Sequence, residues 1–177
     1  MVDFFQAVAQ AFWIVAPAYA ANAFPPLVGG KRPLDFGKRL GKNRIFGDGK
    51  TWEGTFFGIV FGVFFGILQI VVQSRSDVPT EFSFLMKMNL TLVVLIAVGA
   101  IIGDIIGAFI KRRLGIPRGA PLLPLDQLDF LMGAIVFASF VTTMWLESII
   151  FLFIVTPLIH WLANLIGYRY RVKREPW

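Results

Sequence analysis

The chain holds 177 residues, 56% of them hydrophobic, with a formal net charge of +6, one histidine and no cysteine. Its mean hydropathy of +0.70 is too high for an ordinary globular domain, and its long apolar runs indicate an integral membrane protein. The missing cysteines exclude disulfides, thiol catalysis and cysteine-bound metals, so any metal would rest mainly on oxygen ligands, which suits Mg²⁺. In a membrane protein the placement of positive charge matters more than its sum. The basic balance therefore predicts no nucleic-acid partner, and no obligate protein partner is evident.

The first apolar run, Phe4 to Val28, precedes a loop over residues 29–53. Ala18-Tyr19-Ala20 resembles a leader cleavage site, but only Asp3 is charged before the run. A leader requires a basic start, so the run is read as a retained transmembrane helix. The loop ends in Ile45-Phe-Gly-Asp-Gly-Lys-Thr-Trp-Glu-Gly54. Gly49-Lys50-Thr51 matches the close of a nucleotide P-loop, yet that motif requires glycine where Arg44 stands. The second predicted span, Gly54 to Val72, carries Gly54, Gly58, Gly62 and Gly66 at one-turn spacing. The third, Met88 to Ile110, carries Gly99, Gly103 and Gly107 in the same way. Such rows let helix backbones approach closely. Pro117, Pro121 and Pro124 separate the third span from the fourth, Leu128 to Thr143, which is the shortest. The fifth runs from Ser148 to Ile166; His160 within it reads as a packed or hydrogen-bonded residue. Trp145, Trp161 and Trp177 read as interfacial anchors or lipid-facing bulk.

Lysine and arginine set the orientation. Seven lie in the first loop, four between Lys111 and Arg118, and four in the tail at Arg169, Arg171, Lys173 and Arg174, against only Arg75 and Lys87 on the other side. This bias predicts an all-α integral membrane protein of five transmembrane helices, with the N-terminus outside and the C-terminus cytoplasmic. Residues 1–177 would form a single membrane domain with cytoplasmic loops at about 29–53 and 111–126, multi-pass in the plasma membrane with its active site facing the cytoplasm.

Within that frame several polar residues need a reason. Asp104 interrupts the apolar third span, where a carboxylate is expensive unless it faces a wet cavity or a cation. Lys111, two helical turns along the same face, offers a purely structural partner. Asp126 and Asp129 share a helix face; Asp126 is also open to reading as a helix N-cap, which would leave Asp129 unexplained. Three acids near the cytoplasmic ends of neighbouring helices repel unless cations neutralise them, and a divalent metal is the economical answer. Lys111, Arg112, Arg113 and Arg118 stand beside them, a mixture suited to phosphoryl chemistry, with acids on Mg²⁺ and bases on phosphate. Lys31, Arg32, Lys38, Arg39 and the tail cations read instead as orienting charges against anionic lipid head groups. Lys50 and Lys111, embedded among acids and glycines, read as functional.

The run Gly103-Asp104-Ile-Ile-Gly-Ala-Phe-Ile-Lys111-Arg112-Arg113, followed by Leu125-Asp126-Gln127-Leu128-Asp129-Phe130, resembles the carboxy-terminal signature of the CTP:phosphatidate cytidylyltransferases. It is similar in nearly this form to their archaeal branch, the CDP-archaeol synthases. Lys50-Thr-Trp-Glu-Gly54 resembles the Lys-Thr-x-Glu-Gly segment of both branches. Ala108 replaces the general signature's serine, Gln127-Leu128 lacks its arginine, and its histidine-glycine-glycine part is missing, departures that favour the archaeal branch.

The resemblance implies that a lipid phosphate attacks the α-phosphorus of CTP and expels pyrophosphate. The lipid would be an isoprenoid ether phosphate, digeranylgeranylglyceryl phosphate. Asp104, Asp126 and Asp129 would hold Mg²⁺ and act in catalysis with Lys111. Lys50, Arg112 and Arg118 would stabilise phosphate charge. Glu53 would hold a metal or orient Lys50, and Thr51 would bond a phosphate or cap the second span. Two other classes compete. A CDP-alcohol phosphotransferase would need an Asp-Gly-x-x-Ala-Arg run that is absent, and a small cation channel or transporter would be lined by Asp104.

Overall fold

The computed structural model describes residues 3–75 and 82–171; Lys173, Arg174 and Trp177 lie outside them. Helix α1 (Phe4–Ala23) turns at Phe24 into a single-turn helix, α2 (Pro25–Val28), which ends at Gly29 in the left-handed region. A small hairpin of β1 (Arg39–Leu40) and β2 (Asn43–Arg44) follows, pairing Arg39 with Arg44 and Leu40 with Asn43. Four longer helices complete the chain: α3 (Trp52–Gln73), α4 (Leu90–Arg113), α5 (Leu125–Ala138) and α6 (Leu146–Arg169). The starts of α3 and α4 have clear local causes. Thr51 Oγ1 accepts from Gly54 N at 3.1 Å, and Asn89 Oδ1 accepts from Leu92 N at 2.9 Å, each satisfying an amide that the helix leaves free.

Among the described residues, four segments are long and apolar enough to cross a membrane: Phe4–Val28, Trp52–Gln73, Leu90–Arg113 and Leu146–Arg169. Helix α5 is not one of them. It has 14 residues, or about 21 Å at ~1.5 Å per residue, short of the ~30 Å hydrocarbon core. The predicted fourth span, Leu128 to Thr143, is thus displaced: the helix begins at Leu125 and ends at Ala138. Ser139 Oγ bonds back to Val136 O at 2.7 Å, and the β-branched run Val141-Thr142-Thr143 does not favour continuing the helix. Hydropathy cannot separate an apolar helix from apolar chain that has left it.

The glycine rows organise the bundle. Helices α1 and α4 form its centre, α3 and α5 each lie against both, and α6 lies on α1 and α5. A Cβ on Gly58 would sit 2.8 Å from Ile101 Cδ1 and 2.9 Å from Ala21 O, and one on Gly62 would sit 2.8 Å from Pro17 O. One at Gly66 would collide with Val93. The second row serves the other side of α4: a Cβ at Gly99 would stand 2.5 Å from Gly133 O, and one at Gly103 would strike the Asp129 carbonyl. Ile14, Val15, Leu92, Ile96, Phe130, Leu131 and Leu152 fill the space between the helices. Helix α6 runs beside α1 in the same direction, because Ser148 Oγ donates to Ala7 O at 2.8 Å near one end. Further along, Tyr19 OH and Thr156 Oγ1 are 2.6 Å apart.

Candidate functional site

The loop between α2 and α3 folds around one buried carboxylate, Asp35. Asp35 Oδ1 accepts from Arg44 Nη2 at 2.5 Å and from Gly37 N at 3.1 Å. Its Oδ2 accepts from Arg44 Nε at 3.2 Å and from the amides of Phe46 and Gly47 at 3.0 Å each. Burial raises the Asp35 pKa, but the Arg44 guanidinium and the three amides outweigh it and hold the carboxyl well below the usual carboxylate range. Arg44, held chiefly by Asp35, also reaches Asp48 Oδ1 at 2.7 Å.

The folded loop docks on the end of α4. Arg113 donates to Leu40 O at 2.7 Å and to Arg44 O at 2.6 Å, while Asn43 Nδ2 donates to Arg112 O at 2.9 Å. The Arg113 guanidinium also lies over the Phe109 ring, 5.2 Å from its centroid. Sequence reasoning passed over Asp35, Asn43 and Arg44 as site-building residues, and it read Arg113 as a phosphate-side cation rather than as the anchor of the loop. The available signal was an acid, Asp35, set among glycines and most of the loop's seven cations, well before Asp48 and Glu53.

This docking brings Lys50 to Asp104, with Nζ 2.5 Å from Oδ2. The structural pair considered between Asp104 and Lys111 does not form. Lys111 Nζ instead meets Asp126 Oδ2 at 2.6 Å, because the chain between α4 and α5 returns Asp126 to the end of α4. Asp126 is not the N-cap of α5 either. Pro124 holds that position, and Asp126 Oδ2 also accepts from Leu122 N at 2.8 Å. Asp129 is buried one turn deeper; its Oδ1 accepts from Phe130 N at 2.6 Å. A Cβ on Gly107 would collide with its Oδ2, so the second glycine row seats this carboxylate on α4. Its charged neighbours are Asp104, Lys50 and Asp126, so the three predicted acids do converge.

Arg112 and Arg118 complete the constellation. A Cβ on Gly47 would stand 3.7 Å from Arg112 Cδ, and one on Gly49 would stand 3.7 Å from Arg118 Nε. Neither arginine forms an ion pair among the described residues, and Arg112 Nε is buried without a hydrogen-bond partner. The IFGDGKTWEG turn is thus flanked by two uncommitted guanidiniums and one committed lysine. Thr51 caps α3. Glu53 pairs with Arg32, Oε1 to Nε at 2.8 Å, and also accepts from Arg32 N at 3.2 Å, rather than orienting Lys50. Arg32, expected to face only lipid head groups, therefore braces the start of the loop. His160 Nδ1 is 3.2 Å from Asn164 Nδ2, and its ring stacks at 6.3 Å from Phe130, in keeping with a packed role.

The expected three-acid metal cage is not ready-made. Among the described residues no three carboxylate or imidazole groups stand together at metal-holding distance; Asp104 and Asp126 are each paired with a lysine instead. The donor chemistry still fits Mg²⁺. Asp104 Oδ1, Asp126 Oδ1 and Asp129 Oδ2 accept no hydrogen bond among the described residues. Mg²⁺ is commonly bound by one or two carboxylates plus substrate phosphates rather than by a dedicated cage.

A family model described as CarS-like, CDP-archaeol synthase, matches residues 4–177. The CDP-archaeol synthase of Pyrococcus abyssi is 45% identical over 169 residues, spanning 95% of this chain and 97% of that protein. That of Archaeoglobus fulgidus is 41% identical over 174 residues, spanning 95% and 97%. A solved structure of an intramembrane enzyme for archaeal membrane lipids biosynthesis aligns with a TM-score of 0.76 at 35% identity, covering 89% of this chain and 94% of that one.

Proposed function

The chain belongs to the CDP-archaeol synthase family, and from that membership we propose that it transfers CMP from CTP to digeranylgeranylglyceryl phosphate with Mg²⁺ as cofactor. It is a multi-pass membrane enzyme of archaeal lipid biosynthesis and a CTP-dependent cytidylyltransferase. In the reaction an oxygen of the lipid phosphate attacks the α-phosphorus of CTP. A new P–O–P link forms, the bond from the α-phosphorus to the oxygen bridging toward the β-phosphorus breaks, and pyrophosphate leaves with that electron pair. Two anions must meet, so the protein's task is neutralisation and alignment rather than covalent catalysis.

The observation that carries this reading is the alternation of acid and base where α4 and α5 meet. Lys50 is paired with Asp104 and Lys111 with Asp126, while Arg112 and Arg118 stand uncommitted beside the Gly47–Gly49 turn. Arg112 and Arg118 hold the triphosphate. Lys50 and Lys111, each now paired with a carboxylate, would donate to phosphate oxygens. Asp104, Asp126 and Asp129 would hold Mg²⁺, which when bound neutralises phosphate charge and draws the two substrates together. Thr51 and Glu53 serve the substrate by fixing the loop that carries Lys50.

The same residues support an orientation. Helix α6 runs parallel to α1, whereas α3 is antiparallel to α1, and α4 to α3. Between α4 and α6 the chain must therefore return across the bundle, and α5 with residues 139–145 makes that crossing, the fourth of five in chain order. With the positive loops inside, residues 1–177 form one plasma-membrane domain, the N-terminus is outside, and loops 29–53 and 111–126 present the site to the cytoplasm.

The test uses purified full-length protein in detergent with labelled CTP and the ether lipid phosphate, with and without Mg²⁺. Pyrophosphate release that needs both lipid and Mg²⁺ is expected. Nucleotide hydrolysis without lipid, or turnover undiminished by a chelator, would overturn the reading.

A further inference from the structure

We propose that Asp35 is a positioning residue for the nucleotide half of the reaction, holding the turn that carries Lys50 in a phosphate-accepting shape before CTP arrives. This rests on the cytidylyltransferase reading above. The Asp35 side chain has no solvent exposure, so it touches no substrate and must act through what it holds. What it holds is one end of the turn. Its Oδ2 takes the amides of Phe46 and Gly47 at 3.0 Å each, fixing Gly47 in the left-handed region at φ +86°. The other end is tied to its own chain neighbour, because Leu34 N donates to Lys50 O at 2.8 Å and Pro33 bridges Thr51. Residues 46–50 are thus closed at one end by the Asp35 carboxylate and at the other by the segment that carries it.

The turn so closed is the element that meets the uncommitted guanidiniums, with Gly47 against Arg112 and Gly49 against Arg118. Arg44 links it to α4: its side chain grips both Asp35 oxygens, and its carbonyl accepts from Arg113 at 2.6 Å. Loss of the Asp35 charge would replace one acceptor oxygen by a donor, breaking one arm of the Arg44 fork and weakening the hold on the amides, and would let the turn drift from Arg112 and Arg118. On the reading above, the lipid phosphate would be met by Lys111 of α4 beside the α5 acids, which this loop does not carry. The expected signature is therefore a defect confined to CTP.

Initial rates of the purified full-length enzyme, measured against CTP and against lipid phosphate, test this for Asp35→Asn and Arg44→Lys. Asp35→Asn should raise the CTP KM about tenfold and leave the lipid KM within about twofold. Arg44→Lys keeps one charged contact to Asp35 and should give a smaller rise in the same direction. A residue that only stabilises the fold would lower the yield of active enzyme while the surviving molecules kept the wild-type CTP KM. That result for Asp35→Asn overturns the proposal. Should Asp35→Asn fail to fold, an unchanged CTP KM in Arg44→Lys overturns it instead. Wild-type protein that turns over no CTP would sink the reaction assignment; equilibrium dialysis of CTP against wild type and Asp35→Asn would still read the role of Asp35, equal affinities rejecting it.

Discussion

Lys50 and Asp104 are 54 positions apart in the chain, yet their charged atoms are 2.5 Å apart at the junction of the first loop and α4. Both side chains are about three-quarters buried, so each supplies most of what the other has given up to water. The pair should behave as a unit in catalysis. Lys50→Ala and Asp104→Asn are each expected to lower kcat/KM by about 100-fold, and the double variant by little more than either alone. Steady-state rates of the three variants check this; fully multiplicative losses would mean that the two residues act independently.

Gly107 and Gly66 are both occluded, but by different neighbours: the Asp129 carboxylate lies over Gly107, and Val93 lies over Gly66. Alanine at either position overpacks the bundle and should destabilise it by about 1–3 kcal/mol. Only Gly107→Ala also displaces a site carboxylate. It is expected to lose turnover more than tenfold beyond its loss of folded protein, as Asp129→Asn should lose it nearly completely. Gly66→Ala should keep near-normal activity per folded molecule. Thermal unfolding and specific activity, measured on the same detergent-purified samples, separate the two effects.

The Asp35 pKa is pushed up by burial and down, by more, through Arg44 and the amides of Gly47, Phe46 and Gly37, so its net shift is below the unfolded value. The unfolded chain therefore takes up the proton first on acidification. The stabilisation is fully present above the unfolded pKa of about 3.9 and is lost as pH falls through the folded pKa. Wild type should exceed Asp35→Asn in Tm by a constant margin from about pH 8 to pH 5, and the margin should narrow below about pH 4. A pH series of melting curves on both proteins tests this; a margin that widens in acid would contradict the sign.

The chain's lack of cysteine makes its topology directly readable. In right-side-out membrane vesicles, a membrane-impermeant maleimide should label Ser83→Cys and Val141→Cys but reach Lys42→Cys only after permeabilisation. Protection of Val141→Cys from outside label would remove α5 as the fourth crossing.

Much of the site was legible in the chain because charge inside an apolar run is rare and expensive. Asp104, Asp129 and Lys111 stand out against their neighbours without any fold, and the small-residue rows announce close helix contact before the partner helix is known. The partners were not legible. Asp104 finds Lys50 rather than Lys111, since helical spacing lists only neighbours on one helix whereas the docked loop arrives from another part of the chain. Asp35 stayed hidden for a related reason. A loop acid with four donors is indistinguishable in sequence from a solvated one, and its donors are mostly backbone amides that exist at every residue.

The amino-acid order alone settled that this is a helical membrane protein, and it exposed the acids and bases that carry phosphate chemistry, because hydropathy and unpaired intramembrane charge are local properties. Folding settled which acid each lysine neutralises, where α5 ends, and that one buried loop carboxylate shapes the turn bearing Lys50. Those outcomes depend on contacts between segments far apart in the chain, whose energies exist only once the glycine-faced helices have closed on one another.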